Sequence, residues 1–428
     1  MVKRLMYSVF VFVLVTSAVF AGGWDVERAG GYARIVSLGS NPYVMDPFYV
    51  TLNPAWGSVY DDMVWGDIGS SSGAGKDQFV VANFRLADNL TIGGILTQSG
   101  WNGASIAKLD PLAGIPDPYS STSGSNLGVG LGLDNNIQLM TSMDFNDLII
   151  GLGIAYASST NETPSRDVDT MLVSKTEASQ IGFNFGALLR LNRDIRMDAG
   201  VSLILPSITN TPARAQEISR DQTILSANLR GFWDVSDVVT LVPNVSFVTA
   251  SGTDKNTNLV APTPMERDLT SLTSFTVGMG MQYRTGDLLL VGGPAFNVTS
   301  ITDPAEKVLH GEPEETMTVT SFPVWNLGAE FLLTEWLTGR LGYQSTTSKM
   351  STEEAWANLN SAGHQIVENV STFYGVPGLT TGVTAGIGLH FDGFWLDGVV
   401  SADVLRAGLK NIGGSTDTFA YLSGGYAF

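Results

Sequence analysis

The chain has 428 residues, a net charge of -18 and no cysteine. The acid excess leaves no basic surplus to neutralise phosphates, which excludes nucleic acid as a partner, and no disulfide can hold the fold. Only 15% of residues are charged, against roughly 25% in ordinary soluble domains, while 48 glycines and 10% aromatics favour alternating strands.

The first 21 residues, MVKRLMYSVFVFVLVTSAVFA, place Lys3 and Arg4 before an apolar run that ends in small residues. That is the three-part layout of a secretory signal peptide, with cleavage expected after Ala21. No cysteine follows, so lipoprotein processing is excluded and the chain is read as exported. Beyond it, no apolar stretch approaches the ~20 residues of a membrane-spanning helix.

A first strand is expected within residues 57–69, carried by Val59, Val64 and Trp65, and a second within 77–86. Hairpins follow. In Ile181–Leu191, IGFNFGALLRL, apolar residues at odd positions alternate with Gly182, Asn184, Gly186 and Arg190. After Asn192-Arg193-Asp194 the pattern returns in IRMDAGVSLIL. Period-two alternation on both sides of a short polar turn is a β-hairpin. The unit recurs around Ser236-Asp237, Thr285-Gly286, Thr334-Glu335 and Asp392-Gly393, and earlier at Ala87-Asp88-Asn89 and Asn146-Asp147.

Between these turns lie long polar segments at about 100–133, 160–176, 206–221, 251–269, 302–315, 348–378 and 408–416. Short turns on one rim and long loops on the other mark an all-β, transmembrane antiparallel β-barrel of the outer membrane. The strand count comes to about 14–16. Phe145, Trp233, Tyr283, Trp336, Phe391, Phe394 and Trp395 cluster at the short turns, as an aromatic belt at the lipid headgroups does. Outer-membrane lipid is thus the expected surroundings.

Ionisable residues near the short-turn rim fall on the non-lipid face: Arg85, Arg190, Arg196, Arg230 and Arg340, with Asp144, Asp198 and Glu330. An arginine in mid-bilayer costs ~2–4 kcal/mol, so these belong to the lumen. Glu330 and Arg340 fall opposite one another and are expected to pair. The set is either a self-satisfied lumen network or an arginine collar holding the acidic N-terminal segment (Asp25, Glu27, Asp46) as a plug. A polar wall of Asn184, Ser202, Asn228 and Gln282 leaves open a porin for small polar solutes.

The loop STEEAWANLNSAGHQIVENVSTFY, residues 351–374, reads as a helix. Ser351 and Glu354 have capping-box spacing, and Trp356, Leu359, Ile366, Val370 and Phe373 recur at helical intervals. Its apolar face either caps the barrel mouth or captures apolar ligands. The acidic loop Asp303, Glu306, Glu312, Glu314 and Glu315 is a solvated face or a bridge for divalent cations. His310, His364 and His390 lack metal-ligand spacing, and no nucleophile–base or phosphate-loop motif is present. No catalytic residue, metal or cofactor is therefore assigned. The chain ends LSGGYAF, and a final strand with Tyr426 and Phe428 on its lipid face has the form read by barrel-assembly machinery.

After the signal, Ala33-Arg34, Ser37-Leu38-Gly39, Asp46-Pro47 and Asn53-Pro54-Ala55 are similar to the start of the FadL-type long-chain fatty-acid transporter superfamily and its PorV-type relatives. Two departures stand out: Trp56 follows the last motif where the family usually has Gly, and the Gly pair often seen after Ser-Leu is missing. The resemblance implies an N-terminal hatch over residues 22–56, its folded part from Tyr32 to Trp56, with the barrel from 57 to 428. It also implies passive passage of hydrophobic small molecules by hatch movement and a lateral opening. Such ligands, or detergent or lipid, are then expected in the lumen. The PorV-type relatives add a third possibility, a scaffold for secreted proteins.

Overall fold

A computed structural model describes residues 24, 26–67, 79–97, 135–167, 170–211, 217–256, 265–304, 314–357, 364–367, 373–374, 382–400 and 419–428. The expected signal peptide lies outside them. Strands pair antiparallel with their neighbours throughout, and Met63–Asp67 bonds both Phe79–Ala87 and Phe419–Ala427, so the sheet closes on itself. Nineteen strand segments fill sixteen wall positions. Met265–Asp268 and Ser271–Thr285 share one position beside Val239–Asn256. His364–Val367, Phe373–Tyr374 and Gly382–Phe391 share another beside Leu337–Ala357.

Alternation sets which way each side chain points. Along Ile195–Thr211, Asp198, Gly200, Ser202 and Ile204 are buried while Val201 and Leu205 are exposed. The outer face carries Leu139, Leu152, Ile154, Phe183, Phe185, Leu229, Phe275, Val277, Met279, Leu327 and Leu341, all exposed. An outer surface of this kind is stable only against lipid.

At the short-turn rim Phe145, Trp233, Trp336, Phe391 and Phe394 point outward, and Trp336 stacks on Phe391 with centroids 5.9 Å apart. Trp395 is the exception to the expected belt. One residue after outward-facing Phe394, it turns inward, is 1% exposed, and donates its indole N–H to Gly30 O at 2.6 Å. The terminal Phe428 is 57% exposed and lies against Tyr426 and Phe84, at 6.3 and 5.9 Å. Its N–H donates to Asp62 O at 3.0 Å, which ties the chain end to the start of the first strand.

The opposite rim departs from expectation. Leu148–Asp167 and Thr170–Arg190 run 20 and 21 residues, and Glu314–Thr334 and Leu337–Ala357 run 21 each. About 9–11 residues suffice to cross a bilayer. Most of the expected loop 160–176 is therefore a hairpin standing beyond the lipid, and the expected loops near 206, 251, 302 and 348 likewise begin as strand. Residues 100–133 and 408–416 lie outside the described set.

The helix expected over 351–374 is corrected in the same way. Residues 351–357 extend a strand, with Thr352 paired to Met317 and Ala355 to Glu314, and His364–Val367 and Phe373–Tyr374 are strands too. Cross-strand ladder bonds outweigh one capping signal and an apolar spacing weakened in its middle by Gly363. Trp356, Ile366 and Phe373 thus sit on strands, while Leu359 and Val370 lie outside the described residues.

Lipid exposure makes a direct prediction. Leu152→Arg, on the outer face at mid-wall, should destabilise the folded barrel in phospholipid vesicles by ~2–4 kcal/mol. Urea unfolding of the reconstituted protein measures it.

Candidate functional site

Residues 26–60 fold inside the barrel as a plug. It consists of a short helix, Tyr32–Ser37, and two 3-10 turns, Pro47–Thr51 and Pro54–Ser58. The two proline motifs explain the turns. Asp46 and Asn53 are N-caps whose side-chain oxygens accept from Phe48 N and Ala55 N, each at 2.9 Å, with proline supplying the first helical φ. Leu38, Tyr43, Val44, Val50, Trp56 and Tyr60 are fully buried and pack on Met63, Trp65, Val81, Ile95, Ile149, Leu188 and Phe232 of the wall.

The wall makes room for this. Gly186 and Gly151 lie directly against Asn53 and Ala55, where any Cβ would overlap the plug. Asn41 and Asn326 then interlock. Asn41 Nδ2 donates to Val291 O and Asn326 O, at 3.2 and 3.3 Å, and Asn326 Nδ2 returns bonds to Gly39 O and Ser40 O, at 2.8 and 3.3 Å.

Two charged anchors hold the plug. In the first, Glu330 takes a forked pair from plug Arg34, Nε at 2.8 Å and a terminal nitrogen at 3.0 Å. Its Oε2 also accepts from Arg340 Nε at 2.6 Å, and Arg340 continues to Asp397. The expected pairing of Glu330 and Arg340 is present, but as part of a longer chain of charges. In the second anchor, Arg230 bonds Asp198, donates to Pro42 O and Val44 O at 3.1 Å each, and lies 3.6 Å from the Tyr49 ring centroid. Asp198 also accepts from Asn53 Nδ2 at 2.6 Å and Trp56 Nε1 at 3.1 Å.

The polarity of these contacts differs from an arginine collar attracting acidic residues. Asp46 faces the plug's own Arg34 at 3.3 Å, and Glu27 lies between Arg34 and His390 at 3.4 and 3.6 Å. Asp25 is outside the described residues. Wall Arg230 serves plug carbonyls because the chain turns there and leaves them without helix partners. Wall Glu330 receives the plug's cation.

The remaining collar residues brace the rim. Arg85 is half-exposed and bonds Asp61, Arg190 faces Asp147 of the next turn at 3.6 Å, and Arg196 pairs with Asp234 at 2.8 Å, 5.8 Å from the Trp24 ring. The polar wall is also largely spent on the plug: Asn184 donates to Leu52 O at 3.1 Å and Gln282 to Tyr43 O. Sequence reasoning missed Arg34, Asp397, Asn41 and Asn326. Lumen-face glycines at 151 and 186 are the signal that a second segment packs there.

Behind Tyr43 the wall itself is weakened. Between Ser271–Thr285 and Leu288–Asp303 the ladder skips Met279-Gly280 opposite Gly293-Pro294, and proline has no N–H to give. The Tyr43 ring covers Gly280, and its hydroxyl donates to Pro294 O at 3.2 Å. On the outer side of the same stretch is an apolar groove of about 340 Å³ walled by Val245, Val277, Met279, Phe296 and Phe322.

Two predictions concern the anchors. Glu330→Leu leaves Arg34 and Arg340 buried without their shared carboxylate, and losing one partner of a buried pair costs ~3–5 kcal/mol. The plug should loosen while the barrel persists. With no native cysteine, a Val50→Cys reporter should become reactive to maleimide in that background and stay silent in its absence. The second prediction concerns pH. Burial, opposed by Arg34 and the Phe48 N–H and reinforced by Asp397, pushes the Asp46 carboxyl from 3.8 up to about 7. A raised carboxyl pKa stabilises docking fully below the free value, and that stability is lost as pH rises through about 7. Maleimide labelling at Val50→Cys, divided by the rate of the same thiol in urea-unfolded protein at each pH, should therefore speed up between about pH 4 and pH 7, and Asp46→Asn should flatten this corrected profile.

No family model matches the chain, and no curated protein matches it. Solved structures similar to it include the Pseudomonas putida toluene transporter TodX, 11% identical over 94% of this chain and 99% of that one, with a TM-score of 0.38. A Pseudomonas aeruginosa FadL homologue is 12% identical over 91% and 96%, with a TM-score of 0.34. The copper transporter OprC is 11% identical over 85% and 74%, at 0.32. Similarity at this level carries no inference about cargo.

Proposed function

We propose that this chain resides in a bacterial outer membrane and lets hydrophobic small molecules cross it passively. One observation carries the reading: the barrel is wide enough for a channel but is closed by a plug with an aromatic and aliphatic core, and an apolar strip continues along the inner wall away from that core. There Ala155, Ala157, Ala178, Ile204, Ile224, Ala250, Leu272 and Ile301 form a second buried cluster, joined by Val248 and Met317. A porin needs a continuous polar, wetted wall. Here Asn184 and Gln282 are engaged by plug carbonyls instead, which favours an apolar path.

The route would begin at the long-loop rim, follow this apolar wall and reach the plug. Withdrawal of Tyr43 would bare the unpaired stretch beside Pro294, giving apolar molecules a sideways exit into lipid.

The test needs a membrane that resists apolar solutes, so cells with a lipopolysaccharide outer leaflet are used in place of plain vesicles. Cells making the protein should take up the apolar dye N-phenylnaphthylamine several-fold faster than cells without it. Uptake of a polar antibiotic of similar size should not change. Equal dye uptake would remove the transport reading, and accelerated uptake of the antibiotic alone would replace it with a porin.

A further inference from the structure

Hydrogen-bonded rows across a sheet bring together residues far apart in sequence, and one such row runs along the inner wall. Trp65 pairs with Val81, Val81 with Ile95, Ile95 with Gln138 and Gln138 with Ala155. The row goes on through Gly182, Ile204, Ile224, Ala250, Leu272 and Ile301 to Met317. Apart from the Trp65 indole nitrogen at its foot, every side chain in it is hydrocarbon, sulfur or absent, except one.

That exception is Gln138. It is 0% exposed, and neither its Oε1 nor its Nε2 has a hydrogen-bond partner. A buried primary amide with both ends unmet is destabilising, and native interiors rarely keep one without use. Its position is specific. Ile95 beside it belongs to the cluster that packs on the plug, and Ala155 on the other side belongs to the upper apolar cluster. The amide therefore stands at the junction of the two. The wall next to it is cut back: Gly153, whose missing Cβ would lie 3.3 Å from Gln138 Nε2, is followed by Ala155, Ala157 and Gly182.

We propose that Gln138 is a polar subsite that selects apolar molecules bearing a single hydroxyl group, such as long-chain alcohols and alkylphenols. The chemistry favours a hydroxyl over other heads. One O–H can donate to Oε1 while its oxygen accepts from Nε2, so a single group meets both unmet atoms. An ether or ketone can only accept. A carboxylate would meet the Oε1 dipole with no cation to balance it, because the row contains no Lys or Arg. An alkane leaves the amide as it stands. Small residues at 153, 155 and 182 keep neighbouring side chains from projecting over the amide.

The assignment rests on the hydrophobic-transport reading, and the experiment separates the two. Full-length protein in lipid nanodiscs is titrated with decanol and with its methyl ether, which share the alkyl chain and differ in the donor. Intrinsic tryptophan fluorescence reports binding, since Trp65 is in the same row. The wild type should bind decanol roughly tenfold more tightly than the ether, about the value of one net hydrogen bond. Gln138→Leu should bind the two alike, with ether affinity retained. Gln138→Met provides a second apolar variant if the first fails to fold, as judged by heat-modifiable gel migration. Equal binding of both probes by the wild type, or the same preference in wild type and variants, overturns the subsite and leaves hydrophobic transport standing. No binding of either probe to the wild type overturns both.

Discussion

The run of buried charges Arg34–Glu330–Arg340–Asp397 is the interaction on which the closed state depends. Each of the four groups is almost fully removed from water, and an unpaired charge there would cost several kcal/mol. Alternating signs let the run neutralise itself, and it does so only while the plug contributes Arg34. The barrel wall is thus built with a vacancy of one positive charge, and the plug is built to fill it. Glu27 and Asp46 add two further carboxylates around the same guanidinium, so negative groups outnumber positive ones. Asp46, fully buried on the plug, is the one whose proton affinity rises. The excess is relieved by a proton, which ties docking to pH.

The wall was legible in the sequence because lipid imposes period two on every strand that crosses it. Ile181–Leu191 and Ile195–Leu205 show this plainly, and the short turns between strands fell where Asn, Asp and Gly cluster. Legibility ended where the lipid ends. Above the bilayer both faces of a strand meet water, alternation loses its physical cause, and runs such as SSTNETPSRD look like loop although they are ladder. The false helix over 351–374 has the same origin. Polar strand with scattered apolar residues can match a 3.6-residue spacing by chance, and only pairing to Glu314–Thr318 reveals the strand.

The plug was legible in a different measure. Its motifs Asp46-Pro47 and Asn53-Pro54 are local, since a cap and the proline after it lie side by side in the chain. The partners of those motifs are not. Arg34 meets Glu330 across 296 positions and Asn41 meets Val291 across 250, and no periodicity connects residues so far apart. Trp395 shows the limit of composition: an aromatic beside a short turn looks like belt, and a shift of one residue puts it in the core.

Strand tilt decides how an apolar route can exist in a barrel that is closed below. A row of paired residues runs perpendicular to the strands, and strands tilt by 35–45° in barrels of this kind, so the row climbs as it goes round. Trp65 lies near the short-turn start of Met63–Asp67, whereas Ile301 lies near the far end of Leu288–Asp303. Ten steps of ~4.8 Å at such a tilt rise on the order of 30 Å, close to the hydrocarbon thickness of a bilayer. On the proposed reading, a molecule following the side chains of this row would cross the membrane on apolar surface broken by one amide, with no straight pore. Polar rows lie on either side: Asn184, Ser202 and Ser226 below, and Gln180 and Gln222 above. The track is bounded as well as continuous, and Gln138 is its one amide.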